Sequence, residues 1–282
     1  ISSQIISGTW YRWRTVLCHH KKGIRMAKII AVANQKGGVG KTTTAINLSA
    51  SLAASDKRVL LIDIDPQNHS SIGLGIEIEN QNLSISKILS NSEAQIRKIV
   101  AKTYIKNLDI IPSHISLARI AEQMYTKLYK EATLNKAIQP IKKNYNYIII
   151  DCPPSLGVLT INALFASDLL IVPCQMSRYS LDGLSDLMDV VRAVKYTWNE
   201  KDKSISYLRI LLTMFDVRNK ITNEFILKEL EPFKNRIFKT KIMKNEALNQ
   251  AQIAQKSIFD FDPKSRGAEN YKELTKEILI YE

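Results

Sequence analysis

The residues with the clearest chemical use stand in VANQKGGVGKTTTAIN, residues 32–47. Gly37, Gly38, Val39 and Gly40, followed by Lys41, Thr42 and Thr43, have the composition of a phosphate cradle. Glycines let successive backbone N–H groups turn inward on an anion, and a helix beginning near Lys41 adds the positive end of its dipole. In that reading Lys41 reaches the β and γ phosphates of a nucleotide, the Thr42 hydroxyl holds Mg2+, and Thr43 contacts the α phosphate. The ordinary pattern G-x-x-x-x-G-K-[ST] asks for glycine where Gln35 stands, and a second lysine, Lys36, follows at once. Lys36 lies on the outer lip of the loop, so its side chain need not enter its own site.

Two further stretches supply carboxylates. VLLIDIDPQ, 59–67, places Asp63 and Asp65 two residues apart at the end of an apolar run, so on a strand both point to one side. Asp63 is the one nearer a metal. A turn capped by Asp65 and Pro66 is the alternative, and a weak one beside a phosphate loop. YIIIDCPPS, 147–155, ends an apolar run in Asp151, the arrangement that binds Mg2+ directly or through water. Cys152 reads as a small packing residue, and His69 as a loop residue rather than a base.

For these groups to meet, they must sit at the ends of neighbouring strands. Apolar runs of strand length fall at 28–33, 58–64, 108–112, 146–151, 168–173, 207–213 and 237–242. Several are apolar at nearly every position, as strands covered on both faces must be. Helical period falls at 41–55, 114–130, 155–166, 180–197, 219–231 and 264–280. The alternation predicts an α/β fold, a doubly wound and mostly parallel sheet with helices on both faces. Ligands in that architecture sit beyond the carboxyl ends of the strands, where the glycine loop and the three aspartates fall.

No Pro/Gly/Ser-rich linker divides 26–282, which reads as one domain. Residues 1–25 differ: they lack an initiating Met, contain no acid and hold two of the three tryptophans. They read as a misassigned start or a non-native extension, expected to be disordered, with a genuine basic arm as the alternative. Forty Lys plus Arg against 27 Asp plus Glu give a net charge of +13, and leaving out the five bases of 1–25 lowers it to +8. That excess suits nucleic acid or an acidic membrane surface without choosing between them. Cys18, Cys152 and Cys174 lack metal-type spacing, which argues against a disulfide framework and for a reducing cytoplasm.

KGGVGKTT resembles the deviant Walker A signature of the ParA/MinD ATPases. The likeness extends through VPCQMSRYSLDGL (172–184), LLTMFDVRNK (211–220) and FDPKSRGAENYKELTKEIL (261–279), and so covers nearly everything from Met26 onward. It is specific to the chromosome- and plasmid-partitioning branch, the ParA/Soj type. The resemblance implies ATP and Mg2+ as cofactors and weak ATPase activity. It implies an ATP-bound homodimer in which Lys36 crosses the interface to the partner's phosphates, with Asp65 orienting the attacking water. It also implies non-specific DNA binding, a ParB-type centromere-binding partner that stimulates hydrolysis, and a nucleoid-associated location in the cytoplasm. The chain departs from the family pattern at Asn68, His69 and Ser177, and through IMKNEALNQAQIAQKS, 242–257, a segment that contributes to the adenine pocket.

Residues 192–282 hold 18 bases and 13 acids, so most of the excess charge lies in the last third. Arg218 occupies a position where the family has a basic residue, and Arg218, Lys220 and Lys241 are candidate DNA contacts. Lys201, Lys203, Arg209, Lys234, Lys239 and Lys244 are further bases read as lying in loops or on helix faces. A MinD-like, membrane-associated regulator of cell division is the alternative function. The closing sequence YKELTKEILIYE, with Glu273, Glu277 and Glu282, lacks the basic excess that an amphipathic membrane anchor needs, so no stable membrane association is expected.

Overall fold

The computed structural model describes residues 26–91, 94–126, 128, 130–177, 179–197 and 207–280. The expectation for residues 1–25, together with Lys201 and Lys203, lies outside them. Seven strands form one sheet: β1 (Lys28–Val32), β2 (Val59–Asp63), β3 (Ala101–Lys102), β4 (Leu108–Ile111), β5 (Tyr147–Asp151), β6 (Leu169–Gln175) and β7 (Tyr207–Thr213). Their order is β3-β4-β2-β5-β1-β6-β7, and every pairing is parallel except that of β3 with β4.

Alternate residues of the central strands feed two separate cores. Ile29, Ala31, Leu60, Ile62, Ile148 and Ile150 face one side, and Ile30, Val32, Leu61, Tyr147 and Ile149 face the other. Both sets are buried, which is why the strands read as unbroken apolar runs rather than alternating ones. On the second side lie α1 (Lys41–Ala54) and, last in the chain, α11 (Arg266–Ile280). On the first side lie α3 (Ile85–Ser90), α4 (Leu117–Met124), α5 (Thr133–Ile138), α6 (Val158–Ala166) and α7 (Tyr179–Thr197). The remaining helices are α2 (His69–Gly73), α8 (Lys220–Glu229), α9 (Glu246–Ile253) and α10 (Ile258–Phe261). Among the described residues no helix is long and apolar enough to cross a membrane.

One expected strand is missing. The segment 237–242 meets β7 through one isolated bridge, Ile237 with Ile210, with Phe238 N–H donating to the Ile210 carbonyl and Ile242 N–H to that of Leu212. The N–H groups of Lys239 and Thr240 donate instead to the Glu277 carboxylate of α11, at 2.9 and 3.0 Å. Two donors drawn off to a side chain interrupt the ladder. The seventh place in the sheet goes to β3, two residues at the opposite edge and too short to register as an apolar run.

Candidate nucleotide site

The strand order brings the expected motifs together. Because β5 lies between β1 and β2, Asp151 pairs in register with both Val32 and Asp63, and the glycine loop follows β1 directly. Gly38 and Gly40 adopt φ of 71° and 88°, left-handed values at which a side chain would be strained. Val39 is buried between them, and its carbonyl accepts a 2.9 Å hydrogen bond from the Thr213 hydroxyl at the end of β7. Asn34 steadies the loop entrance: its amide donates to the Pro173 carbonyl at 2.8 Å, and its oxygen accepts from Lys36 N–H at 3.0 Å.

The two lysines part company here. Lys41 is buried, and its Nζ donates to the Lys36 carbonyl at 2.8 Å, so its ammonium is held beneath the loop. Burial lowers its pKa, while Asp151 and Asp65 oppose that shift. Lys36 turns the other way, its Nζ donating to Ser177 Oγ at 3.0 Å. Gln35, where a glycine is usual, donates its amide to Asp186 of α7 at 2.7 Å. Thr43 Oγ1 accepts from Gln252 of α9 at 2.8 Å, which brings the divergent 242–257 segment against the site.

Buried carboxylates are costly unless their oxygens are satisfied. Asp63 Oδ2 accepts from the Ser71 amide and hydroxyl at 2.9 and 2.8 Å, and Oδ1 from Asp65 N–H at 3.1 Å. Asp65 Oδ1 accepts from Gln67 N–H at 2.9 Å; its other oxygen accepts no hydrogen bond from any described residue. Asp151 Oδ2 accepts from Ser70 Oγ at 2.8 Å, and the nearby Thr42 hydroxyl also favours the charged carboxylate. Burial raises the pKa of both Asp63 and Asp151 well above the carboxylate range, and for Asp151 the nearby Asp63 adds to the shift.

Asp151 Oδ1 is buried with no hydrogen-bond partner. An orphaned carboxylate oxygen beside a threonine hydroxyl fits a divalent cation. Among the described residues no three His, Cys, Asp or Glu side chains group as a metal site. Thr42 and Asp151 suit Mg2+, which takes one or two protein ligands and completes its shell with phosphate oxygens and water. Asp63, expected to lie near the metal, stands in register beside Asp151 and also shapes the turn, accepting from Ser71 and the Asp65 amide.

Ser70 and Ser71 carry much of this geometry and were not legible as site residues. They lie in the first turn of α2, which follows Asn68, whose φ of 48° makes the sharp turn that returns the chain to Asp63 and Asp151. Thr213 and Gln252 were equally hidden, since each comes from a distant element. Exposed His69 begins α2 rather than lying in a loop. Cys152 and Cys174 are buried, and burial pushes both thiols up, which fits packing roles.

The expected DNA-contact residues gather around Phe215 and Asp216, just beyond β7. Arg218 forms a forked ion pair with Asp216, closest at 2.6 Å, and holds that carboxyl down at about 2. Lys241 Nζ lies 4.2 Å from the centre of the Phe215 ring. Exposed Lys220 begins α8, and Arg218, Lys244 and Arg266 line a cavity of about 310 Å³. Arg209 is different: it lies on β7, 8% exposed, with Nη1 donating to the Asn235 carbonyl at 2.6 Å, so it faces neither a loop nor solvent.

A sequence profile described as an AAA domain matches residues 27–204. The sporulation initiation inhibitor protein Soj of Bacillus subtilis is 45% identical, over 90% of this chain and 98% of its own length. The chromosome partitioning protein ParA of Myxococcus xanthus is 39% identical, over 90% of this chain and 88% of its own. The solved structure of cobyrinic acid a,c-diamide synthase from Mycobacterium smegmatis, with a bound ATP analogue and magnesium, superposes with a TM-score of 0.76. It is 28% identical and covers 90% of this chain and 95% of that one. With its phosphate-loop fold and sequence likeness over nine-tenths of its length, the chain belongs to the Soj/ParA family of chromosome partitioning proteins.

Proposed function

We propose that the chain is an ATP-dependent partitioning ATPase. In this reading its ATP-bound dimer binds DNA without sequence preference and lets go when a ParB-type partner stimulates hydrolysis. The observation that carries this reading is the divergence of the two lysines, Lys41 to the carbonyl beneath its own loop and Lys36 away to Ser177. A phosphate loop with one lysine committed to its own site and another at the rim suits a site that two copies complete together.

ATP lies along the glycine loop, with backbone N–H groups and the start of α1 on its phosphates. Lys41 stabilises charge on the β and γ phosphates, and Lys36 of the partner copy does so from the far side. Thr42 and Asp151 would hold magnesium, which would neutralise charge on the phosphate oxygens. Asp65, with one oxygen fixed by Gln67 N–H and the other unclaimed, orients the attacking water. Asp63 and Ser71 keep Asp65 in place. The reaction is slow on its own, so bound ATP marks time rather than driving metabolism.

Arg218, Lys220 and Lys241 supply phosphate contacts on DNA, which give affinity without base readout and place the dimer on the nucleoid. The test is co-sedimentation with DNA, for wild type and Lys36→Ala, with and without ATP. The proposal expects ATP to strengthen binding of the wild type only. Equal binding by both proteins, unaffected by nucleotide, would contradict it, and ATP-dependent flotation with anionic liposomes would favour a MinD-like role.

A further inference from the structure

The first two turns of α1 are held from three later helices. Thr44 Oγ1 and the Tyr271 hydroxyl of α11 share a buried hydrogen bond of 3.2 Å. Asn47 donates its amide to the Thr43 carbonyl and accepts from Ile258 N–H at the start of α10, both at 2.8 Å. Thr43 Oγ1 accepts from the Gln252 amide of α9, also at 2.8 Å. The Thr44 and Asn47 contacts pack one helix against another. The Gln252 contact differs, because Gln252 and Thr43 are both half-buried and Thr43 stands at the place expected to meet an α phosphate.

Gln252 is carried on a firm support. Asn245 caps α9 by accepting from Ala247 N–H at 2.9 Å, and Leu248 and Ala251 are buried in the core that α1 and α11 share. A methyl group added at Gly267 of α11 would come within 2.9 Å of Leu248 Cγ, so α9 and α11 lie in close contact. Gln252 also lies in 242–257, where the chain departs from the family pattern, so its contact belongs to this chain itself.

The proton inventory of the pair gives the contact a direction. A threonine hydroxyl has one proton to donate and lone pairs with which to accept. Gln252 donates, so it occupies a lone pair and leaves the Thr43 proton to another acceptor. Within a helix the usual acceptor is the carbonyl four residues back. For Thr43 that carbonyl is Val39's, which already accepts from the Thr213 hydroxyl at 2.9 Å. Among the described residues nothing accepts from Thr43 Oγ1, so its proton is left for a ligand.

We infer that Gln252 is a positioning residue for the nucleotide: by donating to Thr43 Oγ1 it aims the threonine proton at one nonbridging oxygen of the α phosphate of ADP or ATP. This role rests on the ATP reading of the site given above, and needs neither the dimer nor DNA. The two nonbridging oxygens of an α phosphate are distinct, so a donor fixed from one side distinguishes them. The α phosphate takes no part in the transfer, so a bond to it is made alike in ground and transition states and serves affinity rather than rate. A carboxylate at position 252 would invert the contact. It can only accept, so it would take the Thr43 proton and set a negative charge beside the phosphate.

The test is calorimetric binding of ADP with Mg2+, and of the two α-thio diastereomers of ADP, to full-length wild type, Gln252→Met, Gln252→Glu and Thr43→Val, each checked for fold by circular dichroism. Gln252→Met keeps the length of the side chain without its donor. Wild type should favour one diastereomer by about five- to tenfold, of the order of one hydrogen bond. Gln252→Met should bind ADP about three- to tenfold more weakly and lose most of that preference, while kcat for ATP at saturation stays within about twofold. Gln252→Glu, which keeps the shape, should weaken binding further. On a Thr43→Val background Gln252→Met should cost nothing more, since its effect passes through the hydroxyl. Independent losses in those two variants, or an unchanged diastereomer preference in both Gln252 variants, would overturn the role of Gln252 and leave the ATPase reading intact. Folded wild type that binds neither ADP nor ATP would overturn the reading of the site, and this role with it.

Discussion

The two edges of one sheet are built on opposite principles. At the carboxyl edge three aspartates are buried, and each accepts at least one hydrogen bond from an amide or hydroxyl of the turn after β2 or of α2. At the amino edge Lys28, Lys57, Arg58, Lys106, Lys142 and Lys143 are exposed or half-buried and have no ionic partner among the described residues. A buried charge costs free energy unless its surroundings hold it, so every neighbour of Asp63 or Asp151 is constrained. A solvated lysine costs little and constrains nothing around it. A parallel sheet enforces this separation because all its strands end on the same side.

Substitutions should expose that contrast, most strongly at the carboxyl edge. Lys41→Ala should lower ATP turnover by about 10²–10³-fold or more in a phosphate-release assay, as loss of a charge stabiliser does. Turnover within a few-fold of wild type would remove Lys41 from the chemistry. Asp65→Ala should cost about 10²-fold in turnover while a fluorescent ATP analogue still binds, because water is positioned less well. If binding and turnover fell together, Asp65 would be holding the loop instead.

Ser71→Ala leaves Asp63 one hydrogen bond short in a buried setting and should destabilise the fold by about 1–3 kcal/mol in urea titrations. Lys143→Ala, at the amino edge, should change stability by no more than about 0.5 kcal/mol. Equal effects would erase the distinction between the edges.

The acid side also carries a pH signature. Burial lifts Asp63 to about 6 and Asp151 to about 7 from an unfolded value near 3.8. Between those limits the folded chain binds more protons than the unfolded one, so stability is lost as pH rises toward 7. Magnesium-free wild type should therefore lose stability relative to Asp151→Asn, which cannot titrate, between pH 5 and pH 8. A difference that stays constant would mean that Asp151 does not titrate in that range.

How far each edge could be read from sequence follows from the same contrast. KGGVGKTT, Asp63, Asp65 and Asp151 were legible because each ends an apolar run, and the strand order places those ends together. Ser70, Ser71, Thr213 and Gln252 were not, because a hydroxyl or amide that supports a site through one hydrogen bond leaves no local pattern. Six of the seven expected strands formed; 237–242 did not, because its donors went to Glu277, a partner some forty residues away that no local pattern reveals. Helices α2, α3 and α5, of five or six residues each, were missed because fewer than two turns give too few positions for helical period to show. The amino edge was invisible because its bases come singly or in pairs from four separate loops.

The central claim is that one copy's Lys36 completes the site built around another copy's Lys41. Mixing Lys36→Ala with Lys41→Ala tests it directly, since the mixed dimer pairs an intact Lys41 site with an intact Lys36 from the other chain. ATP turnover well above the sum of the two proteins measured alone is the predicted result. Turnover equal to that sum, with mixed dimers shown to form, would place both lysines in the same chain's site and contradict the account.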